Sequence, residues 1–145
     1  MNTQTVPEGF LLFGKDQSFN DVIAPAYLKV DDNGPTLGLL LEKQHCNFVG
    51  FCHGGVMMTL MDIALSGSVC FALGKYTSTP TVSSSFDFMA GAKEGDWIYG
   101  DIQSVKLTRT MAFASATIEG PNGSVARASA CFKLPGDIES APGMG

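Results

Sequence analysis

The longest apolar segment of the chain runs from position 54 to position 74 and contains one charged residue, Asp62. It begins at Gly54 and reaches Gly74, a residue type that commonly ends helices. This pattern predicts one long helix that ends at about Leu73 and is apolar on all sides. A membrane span needs a similar length, but a central carboxylate favours the buried core helix of a globular domain.

Short segments with β-type patterns lie before and after this helix. A helical turn is expected from Ser18 and ends at Pro25, which cannot continue it. The predicted strands, separated by turn residues such as those at 31–35 and 121–123, cover positions 26–30, 36–42, 81–89, 97–108, 111–119 and 124–134. The order predicts an α+β fold in which strands, one long helix and then an antiparallel meander form a sheet curled around the helix.

The length of 145 residues fits one domain with a sizeable core. We place that domain at positions 18–134. Positions 1–17, which are polar and interrupted by proline and glycine, are expected to form a loose lead-in. Positions 135–145, rich in glycine and proline, are expected to be a disordered tail.

The net charge of −5 argues against nucleic-acid binding, which needs a basic surface. The acidic excess is not uniform, because positions 102–133 carry four basic residues against Glu119 alone, so an anionic ligand could bind near that end. The first residues lack the basic start and apolar run of a signal peptide, which predicts a cytoplasmic protein whose cysteines are thiols.

The lone carboxylate of Asp62 is the strongest indication of chemistry. An ionised group buried on an apolar helix costs several kcal/mol to desolvate unless it is paired, and the segment offers no cation. Such a group is typical of a functional site. The structural alternative is an acid that is satisfied by backbone groups or serine hydroxyls.

A second group of residues lies at the start of the same helix. Asn47, Gly50 and His53 are followed by Gly54-Gly55, where free backbone N–H groups without side-chain screening could form an oxyanion hole. Eight residues along a helix span about 12 Å, so these N–H groups and Asp62 of one helix cannot reach one carbonyl. Two copies of the chain, related by a twofold axis with antiparallel helices, would bring them together at a subunit boundary.

The pattern Asn-x-x-Gly-x-x-His-Gly-Gly, followed by Asp62 on the helix, closely resembles the hotdog-fold acyl-CoA thioesterases, particularly the phenylacetate-pathway-like group. The resemblance runs from about Phe19 to Lys133, and the spacings match without a gap. It implies a hotdog fold, a curved antiparallel sheet around one long buried helix. It also implies a homodimer or homotetramer that hydrolyses short-chain, medium-chain or aryl acyl-CoA to free acid and CoA, with sites at the subunit interface and no metal or cofactor.

The resemblance implies catalytic roles at the matching positions. Gly54 would give its backbone N–H to the thioester oxygen, His53 would shape that turn, and Asn47 would hold the thioester or the water. Asp62 of the neighbouring subunit would attack the carbonyl or activate water. Thr81, at the start of the strand after the helix, would touch the reacting water.

Four further positions are expected to contact the substrate, namely Gly55, Met58, Ser83 and Arg109. Strand alternation places Thr81, Ser83 and Ser85 on one face, so that at least one points into the site. Met58 is either core or adaptable lining of an acyl pocket. The family commonly has Arg-Pro where this chain has Ala90-Gly91, which removes one expected phosphate contact and leaves Arg109 as a nucleotide-binding candidate or an ordinary surface charge.

Other readings of the same residues stay open at this stage. Asn47 could be a turn residue, Thr81 an ordinary strand residue, and His53 only a helix cap. A hotdog hydratase or dehydratase would use His53 and Asp62 as acid and base, and a binding module would hold acyl-CoA without catalysis. The pairs His45-Cys46 and Cys52-His53 suggest zinc, but they lack the usual Cys-x-x-Cys spacing, so no metal is expected.

Overall fold

The computed structural model describes residues 4–136 and shows a seven-stranded antiparallel sheet with one long helix packed on it. The helix is α1, Gly54–Leu73, and two 3₁₀ turns cover Phe19–Ile23 and Lys43–His45. The strands are β1 Leu11–Phe13, β2 Ala26–Asp31, β3 Gly34–Leu40, β4 Thr81–Phe88, β5 Trp97–Leu107, β6 Met111–Gly120 and β7 Gly123–Lys133. The predicted α+β arrangement of a sheet around one helix is confirmed.

Helix α1 has the ends that its sequence predicts. His53 is the N-cap, and Gly74 ends the helix with φ of +75°, a left-handed conformation that glycine adopts without strain. By length and composition alone α1 could cross a membrane, yet eight of its residues are buried inside the domain. Leu60 and Leu65 are completely buried, and truncation of either to alanine should cost about 2–5 kcal/mol.

The sheet gives α1 a face made largely of small residues. Buried alanines of β6 and β7 let the helix approach the sheet closely; they are Ala112, Ala114, Ala116, Ala126, Ala128 and Ala130. Larger buried side chains fill the margins of this layer, among them Leu39 of β3, Ile98 of β5 and Phe132 of β7. The core therefore lies between α1 and one face of the sheet.

The order of strands across the sheet is β1-β2-β3-β5-β6-β7-β4. Strands β5, β6 and β7 form the predicted meander, but the prediction is wrong for β4, which pairs with β7 at the far edge. The physical reason is that β3 occupies the other side of β5, so the strand after the helix can pair only at the free edge of β7. As an edge strand β4 is exposed along almost its whole length.

Two short elements were absent from the sequence prediction. Strand β1 pairs with β2 inside the segment that was predicted to be a loose lead-in, and a 3₁₀ turn occupies Lys43–His45. The turn predicted from Ser18 is confirmed, and the Ser18 hydroxyl accepts a hydrogen bond from the Asn20 N–H. Most of the predicted tail, positions 137–145, lies outside the described residues.

Candidate active site

The start of α1 presents one unpaired backbone donor instead of two. The His53 ring caps the helix, because its Nδ1 accepts a hydrogen bond of 2.8 Å from the Gly55 N–H. Within residues 4–136 no acceptor is hydrogen-bonded to the Gly54 N–H. The expected oxyanion hole thus reduces to Gly54, and the Gly55 N–H is unavailable to a substrate while His53 holds it.

A buried histidine fixes this helix start. The His45 carbonyl accepts a hydrogen bond of 2.9 Å from the His53 N–H. The His45 ring is fully buried; its Nδ1 accepts from the Glu42 N–H at 2.9 Å, and its Nε2 lies 2.9 Å from the Ile23 carbonyl. Both ring nitrogens are therefore engaged, which argues against the zinc reading. The sequence analysis missed His45 as a positioning residue.

Asn47 lies in the loop before α1 and serves that loop. Its side-chain oxygen accepts hydrogen bonds of 3.1 Å from the N–H groups of Val49 and Phe51. Gly50 completes the turn with φ of +92°, which favours glycine. The interpretation of Asn47 as a turn residue is thus correct for its side-chain oxygen. Only the side-chain NH₂ group is left to face a ligand.

Asp62 lies on an uncovered stripe of α1. The prediction that it is buried is wrong for the single chain, in which Gly55, Met58 and Asp62 follow each other on an exposed helix face. The reason is that β4 ends the sheet here and none of the residues that the structure describes covers this stripe. The Thr81 hydroxyl donates a hydrogen bond of 2.6 Å to Asp62 Oδ1, as the structural alternative for this acid requires. Asp62 Oδ2 has no hydrogen-bond partner among the described residues.

A β-bulge decides which side chains of β4 face the helix. Thr81 pairs with Phe132 and Ser83 with Cys131, so Val82 is the extra residue between them. Thr81 therefore shares the helix side with Ser84, whereas Ser83 faces away, with its hydroxyl 3.0 Å from Cys131 Sγ.

The expectation that Thr81, Ser83 and Ser85 share one face is consequently wrong. Ser85 also faces away, and its hydroxyl lies 3.1 Å from that of Ser129. Ser83 cannot contact a substrate held at Asp62 of the same chain. Ser84, which the sequence analysis missed, lines the groove beside Asp62 instead.

Asp62 borders both a surface groove and a deeper cavity. A surface groove of about 230 Å³ runs beside it and is lined by Phe19, Asn20, Met58, Thr59, Ile63, Ser84 and Phe86. A deeper cavity of about 420 Å³ lies between α1, β2 and β3, and its lining includes Phe13, Leu28, Leu37, Ile63, Gly67 and Tyr76. Met58, expected to contact the substrate, lines the groove together with Asp62.

Gly54 and Asp62 lie at different places along β4. The Gly54 backbone faces Phe88, since a Cβ built on Gly54 would be 3.4 Å from the Phe88 ring, whereas Asp62 contacts Thr81 at the other end of the strand. Both belong to α1, eight residues or about 12 Å apart along its axis. One chain therefore contains both halves of the predicted site without bringing them to one point.

Arg109 and Gly91 lie in two of the segments that connect strands of the sheet. Arg109 is exposed in the turn between β5 and β6, at the end of the sheet where Thr81 begins β4, and it forms no ion pair with the residues described. The structure explains why residue 91 is glycine, because a Cβ there would lie 2.7 Å from the ring of Phe51. The Phe51 ring thus occupies the space that a side chain at position 91 would need.

Comparison with known proteins identifies the family. The family model described as the thioesterase superfamily matches residues 49–126, which is more than half of the chain. A Pseudomonas aeruginosa protein named "Putative esterase PA0474" is 34% identical over 131 residues, which cover 90% of this chain and 98% of that protein.

Solved structures share the fold. A hypothetical thioesterase from Streptococcus pneumoniae, solved with coenzyme A, has a TM-score of 0.66 and 24% identity, with 77% of this chain and 87% of that chain covered. A variant of the phenylacetic acid degradation protein PaaI from Thermus thermophilus has a TM-score of 0.67 and 15% identity, with coverage of 76% and 93%. At these identities the structures show the hotdog fold alone. With the family model and the Pseudomonas relative, they establish that this chain belongs to the thioesterase superfamily and is a thioester hydrolase.

Proposed function

We propose that this enzyme hydrolyses short-chain, medium-chain or aryl acyl-CoA thioesters to free acid and CoA at sites shared by two subunits. The observation that carries the proposal is the separation of Asp62 from the unpaired Gly54 N–H on one helix. Among residues 4–136, the Gly54 N–H has no hydrogen-bond partner and Asp62 has only the Thr81 hydroxyl. A twofold pair of antiparallel helices would satisfy both with one thioester.

The surface that such a pair would bury is present. Strand β4 has a free edge, and an unpaired edge strand is a template for a second chain. Val82, Phe88 and Met89 along it are each about half exposed. At the adjoining loop Phe48 is completely exposed and Val49 is 60% exposed. This apolar margin supports a homodimer, or a homotetramer made of two such dimers.

The chemistry follows from the two ends of the site. The thioester carbonyl oxygen would accept the Gly54 N–H of one subunit, and negative charge that develops on this oxygen would be stabilised there. Asp62 of the other subunit would either attack the carbonyl carbon or take a proton from the attacking water. Thr81 holds Oδ1, so Oδ2 is the oxygen that would react. The carbon–sulfur bond breaks, and the CoA thiolate leaves and takes up a proton. If Asp62 is the nucleophile, water then hydrolyses the mixed anhydride to the free acid and restores the carboxylate.

The cavity beside Asp62 supports an acyl group of moderate size. Its volume of about 420 Å³ compares with about 150 Å³ for an engineered cavity that holds benzene. Phe13, Leu28 and Ile63 make its walls mainly apolar. Ser66 and Thr79 bond to each other at 2.9 Å and add a polar edge. A phenyl ring or a medium-length acyl chain would fit.

CoA as the carrier is supported by two observations. The pneumococcal thioesterase that shares the fold was solved with coenzyme A. In this chain Arg109 is exposed and free of ion pairs among the described residues, at the end of the sheet near Thr81. We propose that Arg109 contacts the CoA phosphates.

Asp62→Asn tests the proposal, because it keeps the side-chain volume and removes the charge. Thiol release should be followed on a panel of acyl-CoAs that differ in chain length and ring content. Turnover of the best substrate is expected to fall at least about a hundredfold, with an unchanged melting temperature. Near-normal turnover in a folded Asp62→Asn enzyme would exclude Asp62 from the chemistry.

The hydratase alternative is less compatible with the site. It needs the His53 ring as an acid or base, but His53 Nδ1 accepts the Gly55 N–H and holds the helix start, so the ring proton lies on Nε2 and the ring could act there only as an acid. The same panel should include crotonyl-CoA, assayed for hydration without thiol release. Hydration faster than hydrolysis would favour the alternative.

A further inference from the structure

Cys46 and Cys52 face each other across the base of the loop that precedes α1. They are partners in an isolated antiparallel β-bridge. The flanking hydrogen bonds run from Asn47 N–H to Phe51 O at 2.7 Å and from His53 N–H to His45 O at 2.9 Å. Neither cysteine bonds to the backbone of the other, so they form a non-hydrogen-bonded pair. In such a pair the Cα atoms are about 4.5 Å apart and the side chains lie on the same face.

That spacing lies within the range of disulfides, whose Cα atoms are usually about 4.4–6.8 Å apart. Both thiols are free. Each makes only a long contact to a carbonyl, Cys46 Sγ to Glu42 O at 3.6 Å and Cys52 Sγ to His53 O at 3.7 Å. Only these weak contacts are therefore lost when either cysteine side chain rotates towards the other.

We propose that Cys46 and Cys52 form a reversible disulfide that closes the loop at 47–51 beside the helix start, by exchange with a small-molecule disulfide. The Cys46 thiolate, the more exposed of the two, attacks the small disulfide and releases one thiol. The Cys52 thiolate then attacks Cys46 Sγ and releases the second thiol. The two electrons and two protons of the cysteines end on the small molecule, which is reduced.

The surroundings of the thiols set the rate of this reaction. Burial raises the pKa of Cys46, and the nearby Glu94 adds to the effect. Burial raises the pKa of Cys52 to about 12, and the charge of Cys46 contributes, as expected for neighbouring sulfurs. Because the thiolate is the nucleophile, the reaction should be slow at neutral pH and should accelerate as the pH rises.

The loop that the bond would close carries site residues. It contains Asn47, and Cys52, at the end of the loop, directly precedes His53, which caps α1. Phe48 lies between the two cysteines, so cleavage after it in the denatured chain separates them. Closure should therefore restrict this segment without a change of fold.

The test treats the full-length protein with oxidised glutathione at mildly alkaline pH, then denatures it and blocks free thiols with an alkylating reagent. The chain has four cysteines, and the oxidised protein should carry two alkyl groups and no glutathione. After denaturation and alkylation, chymotrypsin should cleave after Phe48 and leave Cys46 and Cys52 on two peptides joined by a disulfide, and dithiothreitol should separate them. Cys131→Ser, which keeps the pair, should lose the same two thiols and carry one alkyl group.

Cys46→Ser removes the partly exposed partner. All three of its remaining cysteines should still be free thiols after the same treatment. Four alkyl groups on the treated wild type, a stable glutathione adduct, or a disulfide between chains would overturn the proposal. Loss of two thiols in Cys46→Ser would overturn it as well, because another pair would then be reacting. Cys46→Ala provides a second variant if the serine destabilises the loop.

Discussion

The Thr81 hydroxyl donates a hydrogen bond of 2.6 Å to Oδ1 of Asp62, and this contact joins the start of the edge strand β4 to the middle of α1. It exists because the β-bulge at Val82 keeps Thr81 on the helix side of the sheet. The contact fixes one oxygen of the carboxylate and leaves the other to face the groove. Thr81 is therefore a positioning residue for Asp62 in the proposed reaction.

Removal of this hydroxyl should reduce turnover. Thr81→Val keeps the branched shape that a strand favours and removes only the donor. A hydrogen bond to a charged group contributes about 1.5–3 kcal/mol, so kcat should fall about ten- to hundredfold, while KM changes little. Thr81→Ser retains the hydroxyl and should keep most of the activity. Equal kcat values for the valine and serine variants would contradict the role given to this contact.

The Gly54 N–H can be removed without disturbance of the helix. Gly54 is the first helical residue, a position that proline favours, and His53 has φ of −65° and ψ of 137°, which suits a residue before proline. Gly54→Pro lacks the N–H, and kcat should fall about a hundredfold or more. The measurement is steady-state hydrolysis of the best acyl-CoA.

Gly54→Ala is the matched control for the proline variant. It keeps the N–H, and its Cβ would lie 3.4 Å from the Phe88 ring, an ordinary contact. Its kcat should stay within a few-fold of the wild type, since no donor is lost. If both variants lose activity equally, bulk at this position matters and the N–H does not.

The cavity behind Asp62 should set the acyl preference. Gly67 lines it from α1, and the nearest atom to a Cβ built there is Pro35 Cγ at 3.8 Å. Gly67→Leu should fill part of the cavity and lower kcat/KM for aryl and medium-chain substrates about tenfold or more, with acetyl-CoA hydrolysis retained. Gly67→Ala should instead stabilise the helix by up to about 1 kcal/mol. Equal losses on acetyl and aryl substrates for the leucine variant would place the acyl group elsewhere.

The loop before α1 is docked on Gly91. A Cβ on Gly91 would lie 2.7 Å from the Phe51 ring, so Gly91→Ala should lower the free energy of unfolding by about 1–3 kcal/mol. In a Phe51→Ala background the same substitution should be neutral within about 0.5 kcal/mol. Denaturant unfolding of the four proteins measures the coupling. An additive result would show that the cost of Gly91→Ala does not come from the Phe51 ring.

The sequence predicts those features of the fold that are encoded by residues close together in the chain, such as helix ends and hairpin turns. The ends of α1 follow from His53, Gly54 and Gly74, and the hairpin between β6 and β7 follows from its turn residues. The position of β4 beside β7 does not follow, because strand pairing depends on which edges remain free after the other strands have paired. The bulge at Val82 carries no sequence signal either, and it reversed the predicted faces of Ser83 and Ser85.

The same distinction holds for the site. The local pattern predicts Gly54 and Asp62 on one helix, with His53 at its start and Thr81 at the start of the next strand, and the structure has these residues at those places. The exposure of Asp62 could not be read from an apolar sequence, because it depends on where the sheet ends. The anchoring of the helix start by His45 also depends on a contact over 22 residues, to Ile23.

The central claim is that each active site takes the Gly54 N–H from one subunit and Asp62 from another. Co-expression of differently tagged Gly54→Pro and Asp62→Asn chains, followed by purification of the mixed dimer, tests it directly. Each parent protein should be nearly inactive, and the mixed dimer should regain about half of the wild-type turnover, because one of its two sites is intact. A purified mixed dimer as inactive as its parents, or full activity in a stable single chain, would contradict the claim.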